Sequence, residues 1–417
     1  MFVILPHQLF NPKYIPKVKV VLWEHPHYFK KYNYNKKKLL LHRSSMQKYY
    51  KLLTKKGYKV TYVNFNNSFK LTNYSLYDPV DKIKLPGKYK KLPTPGFLFD
   101  KYPSVTRFAP FYKWGKKQLN ILPGIESMDK MNRKKLPNNT FIPPLPSGDK
   151  VNSRYVNLHF PNNPGTTKGF IYPTTHSTAK KWLTDFTKHR FAKFGDYQDA
   201  MAKGESFLFH SVLSSSLNIG LLTPLQVIKY VMKCKVPMNS KEGFIRQIFW
   251  REYQRHCYLS IDFSNNFFDN KDKLTLAWYN GTTGIDPVDD CIKRAFVTGY
   301  LHHIERLMVI GNYMNLSGIA PKEGYKWFME FAIDSYEWVM HQNVYDMVFF
   351  SSGLTTKRPY VSSSNYILTM SNWEKGKWAD LTVMDIDVLN IGTTNPNQLL
   401  KGQILKTMVN GKVVFEK

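Results

Sequence analysis

The chain has 417 residues, enough for a large core and two domains, and its 60 Lys and Arg against 30 Asp and Glu give a formal charge of +30. Such an excess points to a polyanionic partner, most simply nucleic acid, bound with steep salt dependence. Three scattered cysteines, Cys234, Cys257 and Cys291, exclude a disulfide framework and argue against a zinc or iron–sulfur site drawn from this chain alone.

No apolar run reaches the length of a membrane span. Residues 1–10 lack the basic and cleavage regions of a signal peptide, so a soluble intracellular protein is expected, in the cytoplasm, the nucleoid or an equivalent space. Residues 2–5, 17–22 and 59–63 read as buried strands. Leu39, Met46, Tyr50 and Leu53 recur at helical spacing over 36–56, with Gly57 as the stop. Strand, helix and strand at these lengths predict a βαβ unit, hence a parallel sheet with ligand crevices at its carboxyl edge. Pro6-His-Gln-Leu9 and Glu24-His-Pro-His-Tyr-Phe29 follow the first two strands at that edge.

Residues 70–165 are rich in Pro, Lys and Asn and show little periodicity. Within them Phe111-Tyr-Lys-Trp-Gly-Lys-Lys-Gln-Leu-Asn-Ile121 mixes basic and aromatic residues, which suits a grip on a nucleic-acid backbone and equally a solvated amphipathic helix. Phe141-Ile-Pro-Pro-Leu-Pro146 reads as a linker. An α/β domain over 1–145 and a linker over 146–175 are therefore expected.

From 177 onward the pattern is helical. An amphipathic helix covers 179–191, Thr223-Pro224 caps and opens another, and Ser240 caps the next. The hydroxyls and close-packing glycine of 211–220 suit an anion at a helix start. Arg246 and Trp250 share a helical face while Arg251 lies one step round, and Glu252 reads as half of an internal ion pair. Asp286 as cap and Pro287 as first helical residue open a long helix, with Ile292, Phe296, Tyr300, Ile304, Leu307 and Met308 on its buried face. On it His302 and His303 lie four and three residues before Arg306, so either imidazole can share a face with the guanidinium. Such polar groups on an apolar helix need partners, either internal ones or an anionic or heteroaromatic ligand at a site that moves a proton. Alternating apolar residues beyond 379, with Asn410-Gly411, read as strands joined by a type I′ turn.

Residues 299–312, Gly-Tyr-Leu-His-His-Ile-Glu-Arg-Leu-Met-Val-Ile-Gly-Asn, are preceded by Gly243-Phe-Ile-Arg-Gln-Ile-Phe-Trp-Arg-Glu-Tyr253 and followed by Ile333-Asp-Ser-Tyr-Glu-Trp-Val339. Together these segments resemble the photolyase/cryptochrome superfamily. The nearest part is its photolyase-related branch, which includes the iron–sulfur bacterial cryptochromes and (6-4) photolyases. The resemblance covers most of 1–378 and is densest over 170–378. It implies an α/β antenna-type domain followed by an all-α FAD-binding domain over 176–378, with a β-rich tail of foreign character over 379–417.

Carried over residue by residue, the resemblance places Ser211, Ser214, Asn218 and Gly220 in the flavin-phosphate loop. Arg246, Trp250, Arg251 and Arg306 would hold FAD or nearby phosphates, and Asn312 belongs with them. Asp334, Tyr336 and Asn343 would flank the isoalloxazine ring, and Trp338 would relay electrons. His303 is the expected acid, His302 its positioning partner and Tyr360 a lesion contact.

The chain departs from the family at several points. Pro123-Gly-Ile-Glu-Ser-Met-Asp129 stands where members carry Gly-Gly-Lys-Trp-Ser-Phe-Asp, and Phe350-Ser-Ser-Gly353 replaces an Ala-Asp-Gly-Gly turn, leaving a carboxylate missing. Thr355-Thr-Lys-Arg-Pro-Tyr360 matches Thr-Lys-Pro-Tyr with Arg358 as the extra residue. Glu374 and Lys377 occupy the places of two cluster cysteines, so no iron–sulfur cluster is expected, and Lys375-Gly-Lys-Trp378 looks like the cysteine-free branch. The family's Trp-rich helical end does not follow Ala379. The tail is instead similar to the C-terminal strands of metal-dependent amidohydrolases, without that superfamily's metal ligands, so no metal is expected.

The implied function is light-driven, FAD-dependent repair of a pyrimidine photoproduct flipped out of damaged DNA by a monomer. A (6-4) lesion suits the adjacent histidines, since its repair needs a proton as well as an electron. A ribityllumazine- or folate-like antenna chromophore is expected in the N-terminal domain. Two alternatives stand beside this reading: a cryptochrome-like photoreceptor without repair, and a nucleic-acid-binding remnant that has lost FAD.

Overall fold

The computed structural model describes residues 1–67, 69–263, 265–374, 381–384, 402–409 and 412–416. Strands β1 (Phe2–Ile4), β2 (Val20–Trp23), β3 (Val60–Val63), β4 (Asn73–Tyr77) and β5 (Lys88–Leu92) form one parallel sheet in the order β3-β2-β1-β4-β5. The helix Lys36–Lys55 connects β2 to β3 and completes the expected βαβ unit. Its N-cap is Asn35, whose side chain accepts from Lys37 N at 2.9 Å. Strand order reverses at β1, so the crevice of this sheet lies beyond the carboxyl ends of β1 and its neighbours.

Strands β4 and β5 were not legible. β5 reads Lys-Tyr-Lys-Lys-Leu and is almost wholly exposed. Lysines along an edge strand hide the β pattern, and for the same reason they keep the edge from pairing with another chain.

The helical half departs from expectation at three boundaries. The helix Met238–Ser260 starts after Pro237, and Ser240 lies inside its first turn, where its Oγ accepts from Gly195 N at 2.8 Å and donates to Ala192 O at 2.9 Å. Ser240 thus joins two helices instead of capping one. The helix Asp286–Thr298 has Ile285 as N-cap, and its acidic first turn works through Asp289, which accepts from Thr283 N at 2.7 Å and Gly284 N at 3.1 Å. The expected continuation through 312 fails at Gly299, whose φ of 74° turns the chain out of the helix. The Gly299 carbonyl then accepts from Ile333 N at 2.8 Å, so tertiary pairing overrides the apolar period. By contrast, Thr223 and Gln226 form the capping box that Thr223-Pro224 announced.

Two π-helices, Glu305–Gly311 and Gln342–Val348, face each other. A Cβ on Gly311 would lie 2.6 Å from Val348 Cγ2, so only glycine lets them close. π-Helical turns are rare and frequently occur at functional sites. Within the second, the buried Asp346 organises the turn that follows, where the family carboxylate is missing. Its Oδ1 accepts from Ser352 N (3.0 Å), Ser352 Oγ (2.7 Å) and Gly353 N (3.1 Å), and its Oδ2 from Thr355 N (3.0 Å).

The sheet and the helical half share two hydrophobic clusters: Val3 and Leu5 join Trp327, Phe331 and Trp338 in one, and Phe2 and Ile4 join Phe244 and Phe249 in the other. Polar contacts pin the seam: Asn35 Nδ2 donates to Phe296 O (3.1 Å), and Trp338 N donates to Asp81 Oδ1 (3.0 Å). In the tail β6 (Leu381–Met384), β7 (Ile404–Val409) and β8 (Lys412–Glu416) pair antiparallel in that order, with Val409 opposite Lys412. The expected turn at Asn410-Gly411 and the segment 375–378 lie outside the described residues. Among the described residues no helix is long and apolar enough to cross a membrane, and no group of His, Cys, Asp or Glu could hold a metal.

Candidate functional site

A cavity of about 960 Å³ opens beside the helix Met238–Ser260, which contributes Arg246, Gln247, Trp250 and Gln254 to its wall. The helix Phe108–Leu119 forms the facing wall. It is the basic, aromatic stretch of the sequence, folded with Phe111, Tyr112 and Gly115 buried and Lys113 and Lys117 exposed on the cavity's rim. Phe108 stacks on Trp250 at 3.8 Å and 7°. The fully buried Glu242 ties the walls together, accepting from Tyr112 Oη at 2.9 Å and Met128 N at 3.1 Å.

Arg246 extends from this frame to Asp129 Oδ1, 2.8 Å from its Nη1, with Glu242 3.3 Å from its Nε. It is buried, yet its Nη2 has no hydrogen-bond partner among the described residues. Asn343 is half-satisfied in the same way: its Nδ2 donates to Val339 O at 2.7 Å while its buried Oδ1 finds no partner. Leaving such groups unpaired costs about 1–3 kcal/mol each, more for a charge, so the wall is built to receive an acceptor near Arg246 and a donor near Asn343.

The paired histidines point in different directions. His302 is buried and stacks on His210 at 4.7 Å and 12°, with its Nε2 3.4 Å from Glu305 Oε2. Burial first, then His210, Arg294, His303 and Arg306, hold it well below the usual histidine range, so it is neutral. Arg294 grips Glu305 at 2.6 and 3.2 Å; burial raises this carboxyl and the guanidinium opposes it, and the two-pronged contact favours the ionised pair. His303 instead lines the cavity, exposed to its interior, and makes no hydrogen bond to another described residue. Depth in the fold and then Arg306 lower it to about 4, an effect that water in the open cavity tempers.

The large cavity is thus lined by His303, Arg246, Trp250, Asn343 and Tyr360 of the expected set. A smaller one of about 130 Å³ is lined by Ser211 and Ser214 and shares His303 and Gln247 with it. The others lie elsewhere. Arg306 pairs with Asp334 at 3.0 and 3.2 Å, and Ser214 Oγ donates to the same carboxylate at 2.6 Å. Asn218 donates to Asp334 O at 2.8 Å and accepts from Arg251 Nε at 2.9 Å, so these five form one internal network. Gly220 packs on Phe10, whose ring would lie 2.8 Å from a Cβ there, and Asn312 pins Ser362 through its N–H at 3.0 Å. Tyr336 and Trp338 line neither cavity: Tyr336 Oη lies 2.8 Å from His42 Nε2 on the helix Lys36–Lys55, and Trp338 is edge-on to Phe97 at 4.8 Å. Glu252 is internal as expected, accepting from Leu98 N at 2.9 Å.

Sequence reasoning missed Gln247, Asp199, His210 and Glu305. Gln247 sits beside Arg246 in the quoted motif and His210 directly before Ser211, so proximity to a motif was the available signal. Asp199 had none; burial, then Asp129, push it up to about 6. At the carboxyl edge of the sheet, Gln8 Nε2 donates to Tyr77 O at 2.7 Å and Glu24 accepts from Arg43 at 2.7 Å and Tyr62 Oη at 2.6 Å. His7 packs 4.7 Å from Tyr28. Among these edge residues His7 Nδ1 and His27 Nε2 are buried without a hydrogen-bond partner among the described residues.

Residues 2–83 match the family model described as deoxyribodipyrimidine photo-lyase-related protein, and residues 244–378 match the FAD binding domain of DNA photolyase. The (6-4) photolyase of Agrobacterium fabrum is 37% identical over 243 residues, 55% of this chain and 48% of that protein. The chain therefore spans about half the length of this relative. In fold it is similar to a bacterial class III photolyase from Agrobacterium tumefaciens, with a TM-score of 0.60 and 16% identity over 88% of this chain and 83% of that one. A Synechocystis cryptochrome gives a TM-score of 0.61 at 15% identity, over 89% and 88%. At such identities the likeness is one of fold.

Proposed function

The chain belongs to the photolyase/cryptochrome superfamily, in its deoxyribodipyrimidine photolyase-related branch, and from that premise we propose that it is a FAD-dependent, light-driven DNA photolyase for (6-4) pyrimidine photoproducts. The observation that carries this reading is the wall on which the Arg246 guanidinium, paired with Asp129 but with its Nη2 unsatisfied, the Asn343 amide and the His303 imidazole meet.

At about 960 Å³ the cavity lies near the upper end of ligand sites, which run to roughly 1,000 Å³, so its size suits a dinucleotide. Arg246, Gln247, Trp250 and Asn343 would hold FAD, with Ser211 and Ser214 offering hydroxyls from the adjoining space. When bound and reduced, FAD supplies a light-absorbing electron donor. Asn218, Arg251, Arg306 and Asp334 brace the serine loop from behind, and Trp338, beyond the cavity wall, would be the electron relay that the resemblance implies.

Lys113, Lys116 and Lys117 line the cavity's basic wall and draw in the phosphate backbone. Tyr360, 37% exposed on the cavity wall, meets the extruded base. His303 holds a proton on a ring nitrogen that faces the cavity and gives it to the lesion. Its low proton affinity in the open cavity rises when phosphate charge arrives, so the acid is made by binding. His302, neutral and stacked, fixes the backbone that presents it.

The test is an absorption spectrum of the purified protein, followed by illumination with (6-4) and cyclobutane duplexes. Flavin bands with (6-4) turnover support the proposal. A colourless protein overturns it in favour of a DNA-binding remnant, and flavin without turnover overturns it in favour of a photoreceptor.

A further inference from the structure

We propose that the amino edge of the parallel sheet is a second nucleic-acid surface, at which Lys17, Lys19, Lys55, Lys56 and Lys59 hold the phosphate backbone of duplex DNA away from the cavity. This surface depends neither on flavin nor on repair.

Charge is spread unevenly along the chain. Between Met1 and Tyr77 there are 15 Lys and Arg and one acid, Glu24, against 60 and 30 in the whole sequence. Glu24 is fully buried and already accepts from Arg43 and Tyr62. No other carboxylate of that stretch exists to balance its exposed lysines. A generally basic composition would keep the two-to-one ratio here, so the local excess needs its own cause.

The fold gathers five of these lysines. In a parallel sheet the residues that precede the strands collect at one edge, opposite the crevice. Lys19 precedes β2 and Lys59 precedes β3, and the register of Val20 with Val60 sets them side by side on strands about 4.8 Å apart. The Lys59 carbonyl accepts from Val20 N at 2.9 Å. The helix Lys36–Lys55 runs back to the same edge, where Lys56 is its C-cap. Gly57, with φ 80°, turns the chain there toward Lys59. Lys17 Nζ lies 3.5 Å from Lys56 O and 4.1 Å from the centroid of the Tyr58 ring, which ties the loop before β2 to the helix end. All five lysines are exposed, and none forms an ion pair with a described residue.

Architecture accounts for part of this cluster. Lys55 and Lys56 suit a helix carboxyl end, and Lys59 suits a sheet edge that must not pair with another chain. Neither reason reaches Lys17 and Lys19, because β2 is an interior strand. Like charges so close repel one another, and a polyanion turns that repulsion into attraction. A duplex offers one negative charge per about 1.7 Å of its axis, and lysine meets phosphate as a point charge. Tyr58 is 7% exposed, so the patch has no ring free to stack on a base, and it grips the backbone whatever the sequence. A lipid surface would need apolar side chains to insert, and among residues 17–19 and 55–59 only Val18 is exposed for that.

The same helix gives the separation. Its start is held to the helical half, where Asn35 Nδ2 donates to Phe296 O at 3.1 Å and Lys38 Nζ to Ser335 Oγ at 2.8 Å. Its 20 residues, at about 1.5 Å each, carry Lys55 roughly 30 Å from that seam. The amino edge is thus a different contact from Lys113, Lys116 and Lys117 on the cavity wall, and one chain can hold two stretches of DNA.

The experiment maps lysine acetylation of the full chain by mass spectrometry, with and without an undamaged DNA duplex, at low and high salt. The duplex should protect all five lysines at low salt, and high salt should abolish the protection. Protection should persist in a chain carrying Lys113→Gln, Lys116→Gln and Lys117→Gln that melts with the parent. Lys17→Gln, Lys19→Gln and Lys59→Gln together should lower the log–log salt slope of duplex binding by about 0.9 per lysine. Equal acetylation with and without duplex in the unmutated chain overturns the proposal, and decides the matter if a variant does not fold. Loss of protection in the folded cavity-wall variant also overturns it, because the edge would then be no surface of its own. Vesicles of phosphatidylserine and phosphatidylcholine are the last arm: protection by vesicles that outlasts the duplex's as salt rises overturns the choice of nucleic acid.

Discussion

Replacing His303 by alanine separates chemistry from architecture, because this imidazole faces a cavity and bonds to no described neighbour. Its removal leaves no enclosed void and orphans no buried partner, so stability should change by no more than about 0.5 kcal/mol, as for exposed sites generally. His302→Ala is the control. That ring is buried against His210, and its loss should cost about 2–4 kcal/mol through the cavity it leaves. At roughly 2–4 °C per kcal/mol for domains of 150–250 residues, somewhat less for a longer chain, His302→Ala should melt several degrees early and His303→Ala within a degree or so of the parent. The assay pairs melting temperature and flavin per protein with light-dependent (6-4) repair. Loss of a general acid costs about 10² to 10⁴ in rate, so His303→Ala should keep flavin and fold while repair falls by that factor. Full repair in His303→Ala refutes the proton role, and early melting with flavin loss refutes the claim that His303 stands free of the fold.

Three further outcomes are expected. DNA affinity should fall steeply between 50 and 200 mM salt, and each alanine at Lys113, Lys116 or Lys117 should lower the log–log salt slope by about one; slopes equal to the parent's would detach this helix from DNA. Asp199, pushed up to about 6 from an unfolded value near 4, binds its proton more tightly when folded, so its stabilising contribution is complete below about pH 4 and lost as pH rises through 6. Asp199→Asn should therefore flatten the fall in stability over that window by up to about 3 kcal/mol, as read by denaturant melts at fixed pH, and an unchanged profile would show the carboxyl to be hydrated. Gly311→Ala forces a methyl within 2.6 Å of Val348 and should destabilise by about 1–3 kcal/mol, seen as a lower melting temperature; an unshifted melt would mean the π-helices part freely.

What could be read in advance followed local rules. Apolar runs and the 36–56 periodicity gave β1 to β3 and their crossover, and Thr223-Pro224 gave a helix start, because each signal is complete within a few residues. The histidine pair stood out because adjacent imidazoles in an apolar stretch are costly without partners. Long-range pairing was not legible. Arg306 and Asp334 are 28 residues apart, and neither spacing nor charge pattern says that they meet in an ion pair that also holds Ser214. Nor could periodicity foresee Gly299, where an apolar repeat runs on while the backbone turns away to pair with Ile333. The partition of the expected residues between cavity and internal network was hidden for the same reason: a helical wheel gives the face, whereas the neighbouring element decides whether that face meets solvent or another side chain. β5 failed differently, since its lysines serve the edge and carry no core signal.

The turn after the second π-helix rests on one buried charge. Asp346 gathers the amides of Ser352, Gly353 and Thr355, and Ser351 beside them is fully buried. A second carboxylate at position 351 would enter a place where those amides are already taken, and would have to find other donors or stay protonated. The segment that leads on to Tyr360 is therefore moored to the π-helix by a single side chain, so whatever shifts that helix shifts the turn with it.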